Sequence, residues 1–319
     1  MVGACSNDST ENPNGEVPAV FTTNLAQRVQ TRAHDNAWDS NDNIGIFSLS
    51  DELDGLAGSP NMAVNTKYTT TDGNAWTSDK AYRFKNPVST DVTFKAYYPW
   101  VEDSKIADGT GGKIDGTIPV DAGTQSAEGQ KACDFLFANT SDGTNASKGS
   151  KDDPNVGFQF THSMAKVILV FKPDTDKGVE FDDAFKAMIP TLKGLKTAGT
   201  FSLANGTVTV SGSAADLELK NSTVDGPGGT VTFTAIVPPQ TAGSGTGEPG
   251  SPNAAPEISI KIGSSDVYRS VKILSSQNME AGKYYKYTIT VKKMELIVSS
   301  SDISDWEVGF DGTGDAVLQ

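Results

Sequence analysis

Side chains able to carry reaction chemistry are sparse in this chain, and their spacing fits no familiar site. The 319 residues contain two histidines, His34 and His162, and two cysteines, Cys5 and Cys133. A nucleophilic triad needs a base, usually histidine. His34 stands in a polar segment. His162 stands in a strand-like stretch between Phe160 and Ala165, where a packed or edge histidine is expected. No G-x-S-x-G is present. Zinc takes about four ligands at regular spacing, which two histidines and two distant cysteines do not supply. The calcium-loop pattern fails twice: glycine comes one residue early in DTDKGV (174–179) and one late in DSNDNIG (39–45). DGTGGKI (108–114) is the nearest approach to a phosphate loop, but Ala107 stands at the first glycine and Ile114 at the Ser/Thr position, so a loop between strands is expected. Paired carboxylates for glycoside hydrolysis are defined by their separation, which a sequence does not carry. The expectation is a protein with no catalytic residues, no metal and no cofactor, and not an enzyme.

Composition narrows the partners. The formal net charge is -14, and no Lys/Arg cluster is visible to match a phosphate backbone, which argues against nucleic acid. No stretch approaches the ~18 apolar residues that span a bilayer, so any membrane attachment has to come through an anchor. Two cysteines do not make a disulfide scaffold, and a Cys5–Cys133 bridge is not expected given the tight geometry required. Cys133, in the apolar run KACDFLFA, reads as a small buried hydrophobe.

What remains is a chain of short strands. Residues 1–17 end in a polar run without a period, a flexible tether. AVFTTNL (19–25) alternates, and NIGIFSL follows as an apolar strand. VTFKAYYPW (92–100) sets Val92, Phe94, Ala96 and Tyr98 on one face. VGFQFTHSMAKVILVF (156–171) begins in alternation and becomes apolar on both faces, as a strand covered on both sides would. In KYYKYTITVKK (283–293), Tyr285, Tyr287, Ile289 and Val291 point one way. TFSLANGTVTV (200–210) carries Asn205-Gly206, the signature of a two-residue hairpin turn. Only EFDDAFKAMI (180–189) suggests a turn or two of helix, and Pro190 stops it. Two long polar loops stand out: 139–155 near a domain boundary, and 240–256 as a hairpin excursion between strands. V-T-F-K-A-Y-Y-P from Val92 is echoed by V-T-F-T-A-I-V-P from Val231, consistent with two related sandwiches. The organisation expected is a tether over 1–17, one β-sandwich over 18–155 and a second over 156–319, all-β with little helix.

Several blocks together resemble the fimbrillin family of Bacteroidetes, the subunits of type V pili and their Mfa-like relatives. They are TRAHDNAW with NDNIGIF (31–47), VTFKAYYPW, CDFLFA (133–138), VGFQFTHSMAKVILVF, GLKTAGTFSLANGTV (194–208), and MEAGKYYKYTITVKK (279–293) followed by ISDWEVG (303–309). The resemblance implies two transthyretin-like Greek-key sandwiches in tandem. It implies export as a lipoprotein, an arginine-specific protease that removes the first strand, and filling of the exposed groove by a neighbour's C-terminal strand. Carried onto this chain, the removable strand is Ala19, Val20, Phe21 and Leu25, and the cut falls at Arg32 or Arg28. The donor region runs from Val298 through Ile303, Trp306, Val308 and Phe310 to Val317 and Leu318, unless ISDW simply closes the second sandwich. The implied partners are other pilus subunits, head to tail in a homo- or heteropolymer, the protease, a host receptor or glycan, and the outer membrane through the precursor's lipid. The implied location is the fimbrium at the cell surface.

Val2-Gly3-Ala4-Cys5 resembles the end of a lipobox, which makes Cys5 the lipidation site. Four residues precede Cys5, fewer than a signal peptide needs, so the expectation is a truncated or mis-started chain, not lipidated as written. Two other classes stay open. One is a non-polymerising surface lipoprotein that binds host glycan or protein, with Tyr97-Tyr98-Pro99-Trp100 either lining a site or packed in a core. The other is a carbohydrate-active enzyme built on β-sandwich modules.

Overall fold

The computed structural model describes residues 15–25, 38–48, 50, 53–54, 64–73, 75–85, 91–140, 148–243, 255–261, 269–273, 278–292 and 296–306. In chain order the strands are β1 (Val17–Pro18), β2 (Val20–Leu25), β3 (Asn43–Phe47), β4 (Leu53–Asp54), β5 (Thr66–Thr70), β6 (Trp76–Thr77), β7 (Arg83–Phe84) and β8 (Lys95–Tyr98). Next come β9 (Ala107–Gly109), β10 (Gly112–Asp121), helix α1 (Ala127–Cys133), β11 (Leu136–Asn139), β12 (Asn155–His162), β13 (Ala165–Pro173) and helix α2 (Asp183–Lys186). The rest are β14 (Thr191–Ser202), β15 (Val208–Glu218), β16 (Ser222–Asp225), β17 (Thr230–Val237), β18 (Gln240–Thr241), β19 (Glu257–Ile260), β20 (Arg269–Lys272), β21 (Asn278–Met279), β22 (Lys283–Val291) and β23 (Leu296–Asp305). The protein is all-β with little helix, as its alternating runs require.

Sheet order explains where the apolar faces go. One sheet runs β2-β12-β11-β8-β3-β5-β6, and the small sheet β1-β7-β4 packs over it. Between them lie Phe21, Ile44, Ile46, Tyr68, Tyr82, Phe84, Phe94, Phe158 and Phe160. Val92, Phe94, Ala96 and Tyr98 share this core, as their alternation predicts. A second sandwich faces β16-β17-β13-β22-β23 against β20-β19-β14, with β15 along the other edge of β14. Its core takes Val167, Leu169, Phe171, Val231, Phe233, Tyr285, Tyr287, Ile289 and Val291. Thus the alternate residues of the echoed segments from Val92 and Val231 each feed one of these cores, while Tyr97 and Ile236 turn to a third.

A third core joins the two. β10 pairs with β14 in the second sandwich's sheet, Ile118 opposite Phe201. The side chains of Ile114, Ile118, Val120, Phe201 and Leu203 pack with Phe47 and Tyr97 from the back of the first sheet, and with Cys133, Phe135, Met164, Ile236 and Trp306. Gln125 and Gln130 staple the start and the body of α1 to β17. The Gln125 amide donates to the Ile236 carbonyl and its oxygen accepts from the Ile236 N–H, both at 2.9 Å. The Gln130 oxygen accepts from Thr234 Oγ1 at 3.0 Å and from Asn221 Nδ2 at 2.8 Å. Both glutamines are buried and paired, which is what burial of an amide demands.

Three local readings change. The run 156–171 is two strands, not one. β12 completes the first sheet, the chain turns at Ser163-Met164, and β13 enters the second. The crossing therefore falls past residue 155. The hairpin at Asn205-Gly206 is real, but its loop is four residues: Phe201 pairs with Val208, and Ser202 N–H donates to Thr207 O at 2.8 Å. Leu203 is drawn into the third core and its N–H donates to Gly116 O, which widens the turn. Gly206, at φ +74°, supplies the left-handed residue. Finally, 240–256 does not join a hairpin, because β17 and β19 lie in opposite sheets.

Candidate functional site: the first strand and its groove

Among the described residues β2 sits at the end of its sheet and has one neighbour. It runs parallel to β12, Val20 opposite Asn155 through Leu25 opposite Phe160. Parallel pairing is slightly weaker per residue than antiparallel, and the strand just before β2 adds only a two-residue ladder, Val17 opposite Phe84 and Pro18 opposite Arg83. Alternation sends Ala19 and Phe21 into the core, with Leu25 half-buried against it, while Val20 stays 46% exposed.

Phe21 is the plug. It is 2% exposed. Its ring stacks on Phe158 at 5.6 Å between centroids and meets Tyr68 at 4.9 Å and Phe94 at 5.2 Å edge to face. The walls of this pocket are pinned without help from β2. Tyr68 Oη accepts from the Tyr82 N–H at 2.8 Å, and Tyr82 Oη donates to the carbonyls of Val64 and Ile46 at 2.9 and 3.2 Å. Burial pushes both phenols above their ordinary range, so they stay neutral. A hydroxyl marks the next position: Trp76 Nε1 donates to Thr23 Oγ1 at 2.8 Å. Thr22 Oγ1 also donates to Val156 O at 3.5 Å, so among the described residues strand β2 is held by one backbone ladder, one deep aromatic pocket and two side-chain hydrogen bonds.

The chain re-enters the described structure at Trp38, which is buried against Trp76 (5.1 Å), Tyr98 (5.3 Å) and Phe160 (5.3 Å). Just beyond it, Lys131 bridges Asp39 and Asp42 at 2.9 and 2.7 Å, and Tyr98 Oη donates to Asp42 at 3.2 Å. Burial pulls the Lys131 ammonium down, but the hydrogen bonds it donates to Asp42 and Asp39 more than offset this and leave its pKa raised. The segment between Leu25 and Trp38 thus has a firm anchor on each side. Arg28 and Arg32 belong to that segment and, with Cys5, lie outside the described residues.

At the other end of the chain, β23 pairs antiparallel with β22 from Leu296 opposite Val291 to Asp305 opposite Lys283. Leu296 is buried in the second core, Val298 packs against it, and Ile303 is 48% exposed. Trp306 enters the third core, stacked on His162 at 3.6 Å with Lys166 Nζ 5.4 Å from its ring. His162 Nδ1 lies 2.7 Å from Asp134 Oδ1. Val298, Ile303 and Trp306 therefore lie along their own subunit. Val308, Phe310, Val317 and Leu318 lie outside the described residues. Tyr97 and Tyr98 are core residues, and Trp100 is half-buried under Lys67 at 4.8 Å. The pocket walls Tyr68 and Tyr82, and Trp76 beside them, are missed by sequence reasoning. The alternation of Tyr82 with Phe84 is the signal that could have exposed part of it.

Fold and site together define an all-β chain of packed sheets whose first strand fills an aromatic pocket at the end of its sheet. Comparison with known proteins places it in a family. Residues 31–306 match the family described as Fimbrillin-like, and the chain belongs to that family. It is 29% identical over 330 residues to the candidate fimbrium subunit Fim1C of Bacteroides uniformis, covering 99% of this chain and 95% of that one. The crystal structure of a candidate cell adhesion protein from Bacteroides uniformis superposes with a TM-score of 0.67 at 26% identity, over 93% of this chain and all of that one. One from Bacteroides ovatus does so with a TM-score of 0.68 at 23% identity, over 92% and 99%, which shows the shared fold.

Proposed function

We propose that this protein is a structural subunit of a cell-surface fimbrium, assembled by strand replacement. The precursor is lipidated on Cys5 and carried to the outer membrane. An arginine-specific protease cuts at Arg32 or Arg28, β2 leaves, and an extended strand from a neighbouring subunit takes its seat. The observation that carries this reading is the position of β2: an end strand held by a single parallel ladder, plugging a preformed aromatic pocket through Phe21. An emptied seat exposes both an apolar trough and unpaired backbone groups, so an alternating strand from another chain is captured. Head-to-tail capture does not close, so it builds a fibre.

The match to the family starts six residues after β2 ends and stops at Trp306, which suits a body that keeps its fold while both ends exchange. Leu296 and Trp306 are each buried in a core, so the part of the tail proposed as donor is the stretch with Val308, Phe310, Val317 and Leu318. The cell surface, the protease and a host receptor follow from this reading. The sequence has four arginines, Arg28, Arg32, Arg83 and Arg269, so an arginine-specific protease gives a readable digest. The expected result is one cut between residues 25 and 38, loss of the β2 fragment, and fibres in the electron microscope. A chain cut there that retains its β2 fragment and stays monomeric with partner subunits present would overturn the proposal.

A further inference from the structure

Trp76 belongs to the seat, yet backbone pairing alone gives it no task. It stands on β6, at the end of the first sheet opposite β2, and closes the sheet on itself by donating its indole N–H to Thr23. The indole is 7% exposed, so its N–H has little water to turn to. On its other side Trp76 packs edge-on against Trp38, the first described residue after the segment that carries the arginines. The Trp38 indole N–H is itself buried without an acceptor among the described residues. When β2 leaves, Trp76 loses its partner, and an unpaired buried donor is costly.

We infer, resting on the strand-replacement reading, that the seat selects its incoming strand by two adjacent inward positions: a large apolar side chain for the Phe21 pocket, and beside it on the same face a hydrogen-bond acceptor for Trp76. An apolar residue in the second position fits the trough but strands the indole, so it is discriminated against. The occupant that meets both demands is a strand with an aromatic or large aliphatic anchor and a Ser, Thr or Asn two residues away. Trp76 is thus a specificity-determining residue. The tail of this chain meets the demands poorly. On the face of Phe310 its neighbours are Val308 and Gly312, neither of which offers a side-chain acceptor. Val317 has Asp315 and Gln319 as neighbours; Gln319 offers an acceptor, but valine underfills a phenylalanine pocket and Asp315 would bury a carboxylate. On this reading a strand from a different polypeptide fills the seat better than residues 307–319 of a second copy do.

The test uses the full-length chain nicked by an arginine-specific protease, with fluorescent peptides and anisotropy as the readout. The peptides are residues 18–26 of this sequence, the same with Thr23→Val, Thr23→Ser or Phe21→Ala, and residues 307–319. The Thr23→Val peptide is expected to bind about tenfold more weakly than the parent, and the Thr23→Ser peptide within about threefold. The Phe21→Ala peptide should lose at least about a hundredfold. Residues 307–319 should bind at least about tenfold more weakly than the parent. On Trp76→Phe protein the Thr/Val difference should vanish, because the donor that reads it is gone. Equal binding of the Thr and Val peptides to the natural protein overturns the inference, as does tail binding that matches the parent. If the parent peptide itself never enters the nicked chain, strand replacement falls, and this inference with it.

Discussion

Phe21→Ala is the perturbation that weighs the seat of β2 most directly. The ring is 2% exposed and touches Tyr68, Phe94 and Phe158 at centroid distances of 4.9, 5.2 and 5.6 Å. These walls are fixed by their own hydrogen bonds and strands, so they cannot collapse into the space left behind. A Phe→Ala change at such a site costs about 3–5 kcal/mol. Val20, one residue away on the same strand, is 46% exposed, and Val20→Ala should stay within about 0.5 kcal/mol. The cost should fall on the local equilibrium between docked and released β2. Amide hydrogen exchange reads that equilibrium directly at the β12 backbone groups that face β2, between Asn155 and Phe160. A loss of 3–5 kcal/mol means exchange there faster by roughly 150- to 5,000-fold, with the β13 and β22 amides of the second core little changed. A cost below about 1 kcal/mol, or equal effects from Phe21→Ala and Val20→Ala, would refute the pocket argument. Faster exchange in all cores alike would show that β2 is not a separable unit.

Other consequences can be measured on the same protein. Burial raises the phenol pKa of Tyr68, Tyr82, Tyr97 and Tyr98, and in Tyr98 the Asp42 carboxylate adds to it. The unfolded chain releases those protons near pH 10 while the native one keeps them. The stabilisation is therefore complete below pH 10 and is lost as pH rises above it, at up to about 1.4 kcal/mol per tyrosine per pH unit. Phenolate absorbance of these four should appear together with alkaline unfolding, and stepwise ionisation in a still-folded protein would contradict their burial. Burial first, and then the Asp134 carboxylate, push the Cys133 thiol up to about 12, so native protein at pH 8 should leave Cys133 unalkylated until urea is added. Trp306→Ala removes the ring stacked on His162 and should cost about 3–5 kcal/mol, read by denaturant unfolding. An unchanged midpoint would mean that the end of β23 does not depend on the third core. At Gly45 a Cβ would collide with the Tyr97 ring and the Asn65 amide oxygen, so Gly45→Ala should destabilise by about 1–3 kcal/mol, seen as a lower melting temperature.

Much of the fold was legible because a strand's facing pattern is local. The pleat alternates every residue, so Val92, Phe94, Ala96 and Tyr98, or Tyr285 to Val291, declare a common face wherever the strand ends up. Family membership was legible in the same way, as an ordered set of such blocks. The two histidines and scattered carboxylates carried no reaction chemistry in their spacing. What the residues could not declare was pairing. Nothing in AVFTTNL says that it lies parallel to β12, with Val20 opposite Asn155, or that Trp76 reaches across to Thr23.

The sequence by itself therefore determined the class of the chain and which side chains turn inward, since both follow from backbone geometry over a few residues. The tertiary structure decided the rest. It split residues 156–171 between two sheets, and it set β10 beside β14 to build a core that neither sandwich owns. It made β2 an end strand with one neighbour among the described residues. Those outcomes depend on which backbone edges meet across more than a hundred residues, a choice set by the packing of every sheet at once.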